Sequence, residues 1–206
     1  HHPQTPVLLV GGHVAALPER TMREEVCDFV CDGEGMATIV GLVQVLRAFG
    51  PMLALHTSNV LGQVPDLWYR SARGIYRSSA RAPLLQDLDG EMPGLAWDLL
   101  PMDRYRAHNW QVGFAGVRSS YASIYTTVGC PFTCRFCMIN TVFDSGKTQM
   151  GYKAERNSYR YWSPDAVIAQ IDTLVTKYGV QTLKLADEMF VLTPNKKRDG
   201  KKDADY

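Results

Sequence analysis

Three of the five cysteines of this sequence fall within eight residues, at Cys130, Cys134 and Cys137. Thiolate sulfur is a soft ligand that binds iron–sulfur clusters, zinc or copper(I). A [4Fe–4S] cluster or a structural zinc ion takes four protein ligands, and no histidine lies near enough in sequence to be an obvious fourth. A site with three protein ligands leaves one position for a substrate or cofactor. The spacing therefore predicts an open metal or cluster site.

The same spacing would also place the three cysteines on one face of a buried helix, because free cysteine packs as a small hydrophobic residue. Gly129 and Pro131 flank the first cysteine, and a residue before proline is driven away from the helical conformation. Thr133 and Arg135 are also poorly suited to a buried stripe. We therefore predict a loop wrapped around a metal or cluster, entered from a strand over residues 123–128.

The elements on both sides of this loop alternate between short strands and helices. Apolar runs predict strands over residues 6–10, 26–31 and 182–186, and periodic apolar residues predict helices over 19–25 and 37–49. Ser163 and Pro164 predict the start of a further helix that Gly179 closes. Such alternation predicts a parallel α/β sheet, whose ligands bind beyond the carboxyl ends of the strands.

Composition excludes several classes of function. The net charge of +1 gives no electrostatic reason to expect nucleic acid or an anionic membrane surface as a partner. No apolar run approaches the roughly 20 residues of a membrane span, and no signal peptide is visible. An odd number of cysteines with clustered thiols indicates a reducing compartment, so a cytoplasmic location is expected.

The cysteine loop resembles that of the radical S-adenosylmethionine (SAM) enzymes, in which a CxxxCxxC loop follows the first strand of a βα barrel. The resemblance implies that Cys130, Cys134 and Cys137 hold three irons of a [4Fe–4S] cluster, and that SAM chelates the fourth iron. It also implies that Phe136, just before the last cysteine, lies against the adenine side of SAM.

Asp187 and Glu188 follow the predicted strand over residues 182–186. They stand where the radical SAM family carries a GGE-like motif that holds the SAM amino group. Ala186 and Asp187 replace the two glycines of that motif, but related cobalamin-dependent members carry acidic residues there. The resemblance therefore implies that Asp187 and Glu188 contact SAM, whereas the residues alone would also fit a solvated acidic turn.

The segments GGHVAALPE, at residues 11–19, and VCDFVCDGEG, at residues 26–35, resemble the last two βα units of a cobalamin-binding domain that precedes many radical SAM domains. This implies that glycine turns let the backbone approach cobalamin at Gly11, Gly12, Gly33 and Gly35. Glycine turns after strands are also common in any α/β fold. We interpret His13 as a neighbour of the cofactor and not as an axial cobalt ligand.

Cys27 and Cys31 share a predicted strand face with Phe29, so we interpret both as structural. The implied fold is α/β: the C-terminal part of a doubly wound, Rossmann-like cobalamin-binding domain, followed by the first βαβ unit of a radical SAM partial TIM-type barrel. We expect a partial cobalamin-binding domain at residues 1–56, a hairpin and interdomain linker at 57–118, and the N-terminal part of a truncated radical SAM domain at 119–206.

In the linker, the apolar residues Trp97, Leu99, Leu100 and Tyr105 are expected to pin the chain to a domain surface. This organisation would make the chain a fragment that is inactive by itself, spanning the junction of two domains.

The function implied by the resemblance is reductive cleavage of SAM to a 5′-deoxyadenosyl radical, with cobalamin-dependent methyl transfer to an unactivated carbon. Rearrangement or ring formation are alternatives within the family. The implied partners are a small-molecule substrate and an electron donor such as flavodoxin or ferredoxin, with no nucleic acid and no membrane. Two other classes remain open: a non-catalytic iron–sulfur or zinc module, with a fourth ligand from Cys27, Cys31 or a histidine, and an inactive fragment of such an enzyme.

Overall fold

The computed structural model describes residues 5–50, 58–71, 73–108, 118–132, 134–144 and 158–190. Contacts between Cα atoms divide the chain into two units, a first unit of residues 1–84 with 130–158 and a second unit of residues 85–129 with 159–206. The boundary expected near residue 56 and the end of the expected 119–206 domain lie outside the described residues. The three expected domains therefore stay predictions.

The secondary structure alternates along the chain as the sequence predicts for an α/β protein, and two 3₁₀ turns lie at Trp97–Leu99 and Met102–Arg104. In chain order the other elements are β1 (Leu8–Leu9), α1 (Gly12–Ala16), α2 (Pro18–Glu24), β2 (Phe29–Cys31), α3 (Met36–Phe49), α4 (Ser58–Leu61), β3 (Leu67–Ser71), β4 (Gly74–Arg77), α5 (Leu88–Glu91), β5 (Tyr121–Ile124), β6 (Thr127–Val128), α6 (Thr141–Asp144), β7 (Arg160–Tyr161), α7 (Pro164–Thr176) and β8 (Thr182–Leu185).

The sheet of the first unit is mixed, with the strand order β1-β2-β3-β4. Strands β1 and β2 are parallel, as expected, but β3 and β4 form an antiparallel hairpin whose first strand pairs with β2. The expectation that this hairpin belongs to a linker missed its pairing with the sheet. The physical reason is burial, because Leu67 and Tyr69 alternate along β3 and pack with Phe29 in one core cluster.

The first and second strands are shorter than the apolar runs that predict them. The expected strand over residues 6–10 is reduced to Leu8–Leu9, and the one over 26–31 begins only at Phe29. Cys27 consequently does not share a face with Phe29. It packs instead with Met22 and Val30 in a second core cluster, so that part of the prediction is wrong although both cysteines are buried.

The second unit contains a βαβ arrangement in which β5 and β8 pair in parallel and α7 connects them through the chain. Helix α7 begins as predicted, because the Ser163 side chain accepts a hydrogen bond from the Ala166 N–H and Pro164 is the first helical residue. Leu174 on this helix is fully buried with Ile124 of β5 in the core of the unit.

The expected strand over residues 123–128 is divided into β5 and β6, and β6 pairs with β7 in a separate two-stranded ladder. In the predicted linker, Trp97 is buried in the core of the second unit as expected, but Leu99 is 79% exposed and Leu100 and Tyr105 are exposed too, so the expectation is wrong for these three residues. Among the helices that the structure describes, none has the length and hydropathy needed to cross a membrane.

Candidate cofactor site

The three clustered cysteines lie in a loop that begins after β6 and ends before α6, as the sequence predicts. Cys130 and Cys137 are half-buried, Cys134 is exposed, and all three are free thiols. The Cys137 N–H donates to the Cys134 carbonyl at 3.0 Å, which closes a turn around the second and third cysteines. No group of three potential ligands stands in metal-binding geometry within the described part of the chain. The backbone brings the cysteines together in one loop, and their side chains would have to turn toward a shared ligand.

The aromatic side chains of this loop are directed away from the protein core. Phe136 is 94% exposed and Phe132 is about half exposed. Exposing a large apolar side chain forgoes roughly 1.5–3 kcal/mol of burial free energy. An aromatic surface beside three thiols suits a planar organic ligand, and contact between Phe136 and SAM stays a prediction.

The first glycine pair lies at the start of α1 and borders the cysteine segment. Gly11 has a φ of 118°, which strains residues with a side chain, and a Cβ placed there would meet open space. Gly12 is the first residue of α1, and a Cβ placed there would lie 3.5 Å from the Met138 Cε atom. The helix that begins at the predicted cobalamin glycines therefore packs near the residue that follows Cys137.

Gly33 and Gly35 are glycines for two different structural reasons. A Cβ on Gly33 would lie 2.5 Å from Oδ2 of Asp66, so close packing by itself requires a glycine there. Gly35 has a φ of 101° and precedes α3, where a positive φ favours glycine. Cobalamin contact at Gly11, Gly12, Gly33 and Gly35 stays a prediction, and packing against Asp66 accounts for Gly33 without a ligand.

Two buried carboxylates, Asp32 and Asp66, pair with arginine near the loop after β2, and no local sequence pattern predicts this contact. Nη1 of Arg81 lies 2.6 Å from a carboxylate oxygen of both Asp32 and Asp66. The second oxygen of Asp32 accepts from Nε1 of Trp68 at 2.9 Å and pairs with Arg77 at 2.9 Å. Buried carboxylates need such partners, because an unpaired buried charge is costly. These contacts join residues 15–49 positions apart, which explains why local patterns did not reveal them.

Asp187 and Glu188 differ in their surroundings although they are neighbours at the end of β8. Oδ1 of Asp187 accepts from the backbone N–H groups of Thr126 and Thr127 at 2.7 and 2.5 Å, and from their hydroxyls at 3.1 and 2.8 Å. Oδ2 of Asp187 is buried and has no hydrogen-bond partner within the described residues. Glu188 is exposed. Asp187 thus holds the bend between β5 and β6, and SAM contact by either acid stays a prediction.

The remaining two cysteines are occupied by core contacts. Burial raises the pKa of Cys31, although a hydrogen bond with Thr38 opposes this shift. Burial also raises the pKa of Cys27, whose sulfur lies 3.9 Å from the Met22 sulfur. A raised pKa keeps both thiols protonated and weakens them as metal ligands. His13 is exposed on α1.

The chain is similar in sequence to proteins named as enzymes. It is 35% identical over 193 residues to an uncharacterized methyltransferase of Pyrococcus horikoshii, covering 93% of this chain and 35% of the relative. It is 28% identical to the anaerobic magnesium-protoporphyrin IX monomethyl ester cyclase of Synechocystis, covering 81% of this chain and 27% of the cyclase. The chain therefore spans about a third or less of the length of these curated relatives. No family model matches it.

The fold is similar to that of solved cobalamin-dependent radical SAM enzymes. The methyltransferase TsrM from Kitasatospora setae, solved with cobalamin and a [4Fe–4S] cluster, aligns with a TM-score of 0.52 at 15% identity, over 89% of this chain and 30% of TsrM. The enzyme OxsB, solved with aqua-cobalamin and SAM, aligns with a TM-score of 0.55 at 19% identity, over 94% of this chain and 22% of OxsB. The likeness to these solved structures shows that the chain has an α/β fold similar to that of cobalamin-dependent radical SAM enzymes.

Proposed function

We propose that this chain forms part of a cobalamin-dependent radical SAM enzyme in which Cys130, Cys134 and Cys137 ligate a [4Fe–4S] cluster. The observation that carries the proposal is the cysteine loop itself, with three free thiols on an irregular backbone after β6. Sulfur donors suit iron–sulfur clusters, and three of them leave one iron open to SAM. Cys134 and Phe136 are exposed, so the proposed cluster and SAM would bind on the outer side of the loop.

The chemistry that these groups supply when bound is reductive cleavage of SAM to methionine and a 5′-deoxyadenosyl radical, together with methyl transfer from cobalamin to an unactivated carbon. The chain's own residues bind and orient the cofactors. Phe136 offers an aromatic surface for the adenine of SAM, and the exposed Glu188 carboxylate can accept hydrogen bonds from the SAM amino group.

The glycines contribute through the backbone. A Cβ on Gly11 would meet open space, and the positive φ of Gly35 favours glycine. With no side chain at either position, the backbone can approach a large ligand such as cobalamin. Gly12 has Met138 close to the position that a Cβ would take, so this surface lies next to the cysteine segment within the first unit. Gly33 supports the same loop through its packing against Asp66.

Methyl transfer is the favoured reaction, because one relative is named a methyltransferase and TsrM is another. Ring formation is the second candidate, since two relatives are named as cyclases. In either case we propose a small-molecule substrate and an electron donor such as flavodoxin or ferredoxin. A non-catalytic zinc or iron–sulfur module is less favoured, because Cys27 and Cys31 are buried with other partners and offer no fourth ligand.

The test is anaerobic reconstitution followed by iron and sulfide analysis. Alanine at any one of Cys130, Cys134 or Cys137 is expected to abolish the cluster, while Cys27→Ala and Cys31→Ala, as matched controls, are expected to keep it. SAM is expected to change the electron paramagnetic resonance spectrum of the reduced cluster. Stoichiometric zinc without sulfide, or equal cluster loss in the two control variants, would contradict the proposal.

A further inference from the structure

One asparagine makes hydrogen bonds to the backbone around the first cysteine. Nδ2 of Asn140 donates to the carbonyl oxygens of Cys130 and Phe132, both at 2.9 Å. Oδ1 of Asn140 accepts from the Cys130 N–H at 3.2 Å and from the Ser158 hydroxyl at 2.6 Å. Both ends of this amide are therefore used, and three of the bonds reach the two residues that flank Pro131.

These hydrogen bonds surround a residue that has no backbone donor. Pro131 has no N–H, so it cannot donate a backbone hydrogen bond. Asn140 lies three residues after Cys137, immediately before α6. Its bonds to Cys130 therefore tie the end of the cysteine segment to its beginning. The Ser158 hydroxyl also contacts the Cys130 carbonyl, at 3.2 Å, and supports the same peptide group.

We propose that Asn140 is a positioning residue that closes the cysteine loop and fixes the backbone of Cys130, the first of the three proposed cluster ligands. The ligand role of Cys130 rests on the proposed function, whereas the closing of the loop does not. Asn140 does not touch the metal in this account. It acts by holding both peptide groups of Cys130, which reduces the conformational entropy that ordering the loop would otherwise lose.

The chemistry of the amide gives a sharp comparison between two variants. Asn140→Ala removes all four hydrogen bonds but adds no charge. Asn140→Asp keeps the shape, but it replaces the two donors with an oxygen that faces the carbonyls of Cys130 and Phe132. Two acceptors cannot share a hydrogen bond. If Asn140 only fills space, Asn140→Asp will be the milder variant. If it holds the loop through its donors, Asn140→Asp will be at least as disruptive as Asn140→Ala.

The first measurement uses the iron-free protein and so does not depend on any cofactor. Alkylation of each cysteine by iodoacetamide is followed by mass spectrometry after tryptic digestion. We expect both Asn140 variants to raise the alkylation rate of Cys130 on the order of fivefold to tenfold, which is the size expected when a net hydrogen bond no longer restrains an opening. The exposed Cys134 should change little. Asn59→Ala, on α4, is the matched control and should leave both rates unchanged.

The second measurement uses the anaerobically reconstituted protein. We expect the Asn140 variants to lose iron to a chelator faster than the unmodified protein. The electron paramagnetic resonance spectrum of their reduced cluster should also be broader. Ser158→Ala should change both measurements less. An unchanged Cys130 alkylation rate in both Asn140 variants would overturn the positioning role, even if the cluster forms. If neither the variants nor the unmodified protein binds iron, the proposed function fails. The alkylation rates would still decide whether Asn140 closes the loop.

Discussion

Replacing Asp187 tests whether this acid holds the protein together or contacts a cofactor. In Asp187→Ala, the backbone N–H groups of Thr126 and Thr127 lose their acceptor, and both residues are buried. Each unsatisfied buried donor costs about 1–3 kcal/mol, so the sum is about 2–6 kcal/mol. Asp187 is itself half-buried, so water can replace part of the carboxylate and the lower half of this range is expected. Even about 2 kcal/mol is a large share of the roughly 5–15 kcal/mol by which domains are stable.

Two further variants separate charge from shape. Asp187→Asn keeps one acceptor oxygen but loses the negative charge, and hydrogen bonds to charged groups are stronger than neutral ones by about 1 kcal/mol or more. We therefore expect Asp187→Asn to lose about 1–2 kcal/mol of unfolding free energy. Glu188→Gln is the matched control, because Glu188 is exposed and surface substitutions usually stay within about 0.5 kcal/mol.

The assay is urea unfolding followed by tryptophan fluorescence. Trp97 and Trp162 are both buried in the core of the second unit, so they report on the unit that contains Asp187. If Asp187→Ala unfolds at the same urea concentration as Glu188→Gln but loses the spectral response to SAM, the positioning role is wrong and the SAM contact is supported. A clear loss of stability in Asp187→Ala supports the positioning role.

Three further outcomes are expected from the same structure. Gly33→Ala should lower the unfolding free energy by about 1–3 kcal/mol in urea titration, because its Cβ would stand 2.5 Å from an Asp66 oxygen; unchanged stability would contradict the close packing. Leu174→Ala should lose about 2–5 kcal/mol as a fully buried core residue, whereas Leu99→Ala should stay within about 0.5 kcal/mol. Burial raises the pKa of Cys31, so the fold favours the neutral thiol and its contribution to stability is lost as the pH rises above the ordinary thiol pKa. Thermal melts of Cys31→Ser and the unmodified protein from pH 7 to 10 should therefore converge, and a constant difference would contradict this sign.

Local signals in the sequence predicted those features that depend on neighbouring residues. The start of α7 was correct, because an N-cap serine followed by proline is a contact within one turn of helix. The cysteine loop was correct because glycine and proline restrict the backbone on both sides of Cys130. Strand ends were less accurate, because an apolar run does not show where hydrogen bonding to the next strand stops. Leu99 was expected to be buried and is not, since hydrophobic character alone does not decide which side of a segment faces the core.

Contacts between distant residues could not be predicted in the same way. The salt bridges from Arg81 to Asp32 and Asp66 join separate segments, and no spacing pattern encodes them. The hydrogen bonds of Asn140 are closer in sequence, but an asparagine before a short helix is equally typical of an ordinary N-cap. The types of its partners, which are carbonyls around a cysteine, become visible only in the folded loop.

Two features predicted from separate resemblances, the cobalamin glycines and the cluster cysteines, share one packed unit in the structure. A Cβ placed on Gly12 would lie 3.5 Å from Cε of Met138, the residue after Cys137, and Asn140 ties the same segment back to Cys130. Short-ranged packing and hydrogen bonds therefore hold the helix that begins at these glycines close to the cysteine segment. Under the proposed function, the two cofactors would need such fixed placement, because misplacement by about 1 Å can slow a reaction on the order of a hundredfold. The lack of a side chain at Gly12 and the amide at Asn140 would then serve the proposed reaction without touching the substrate.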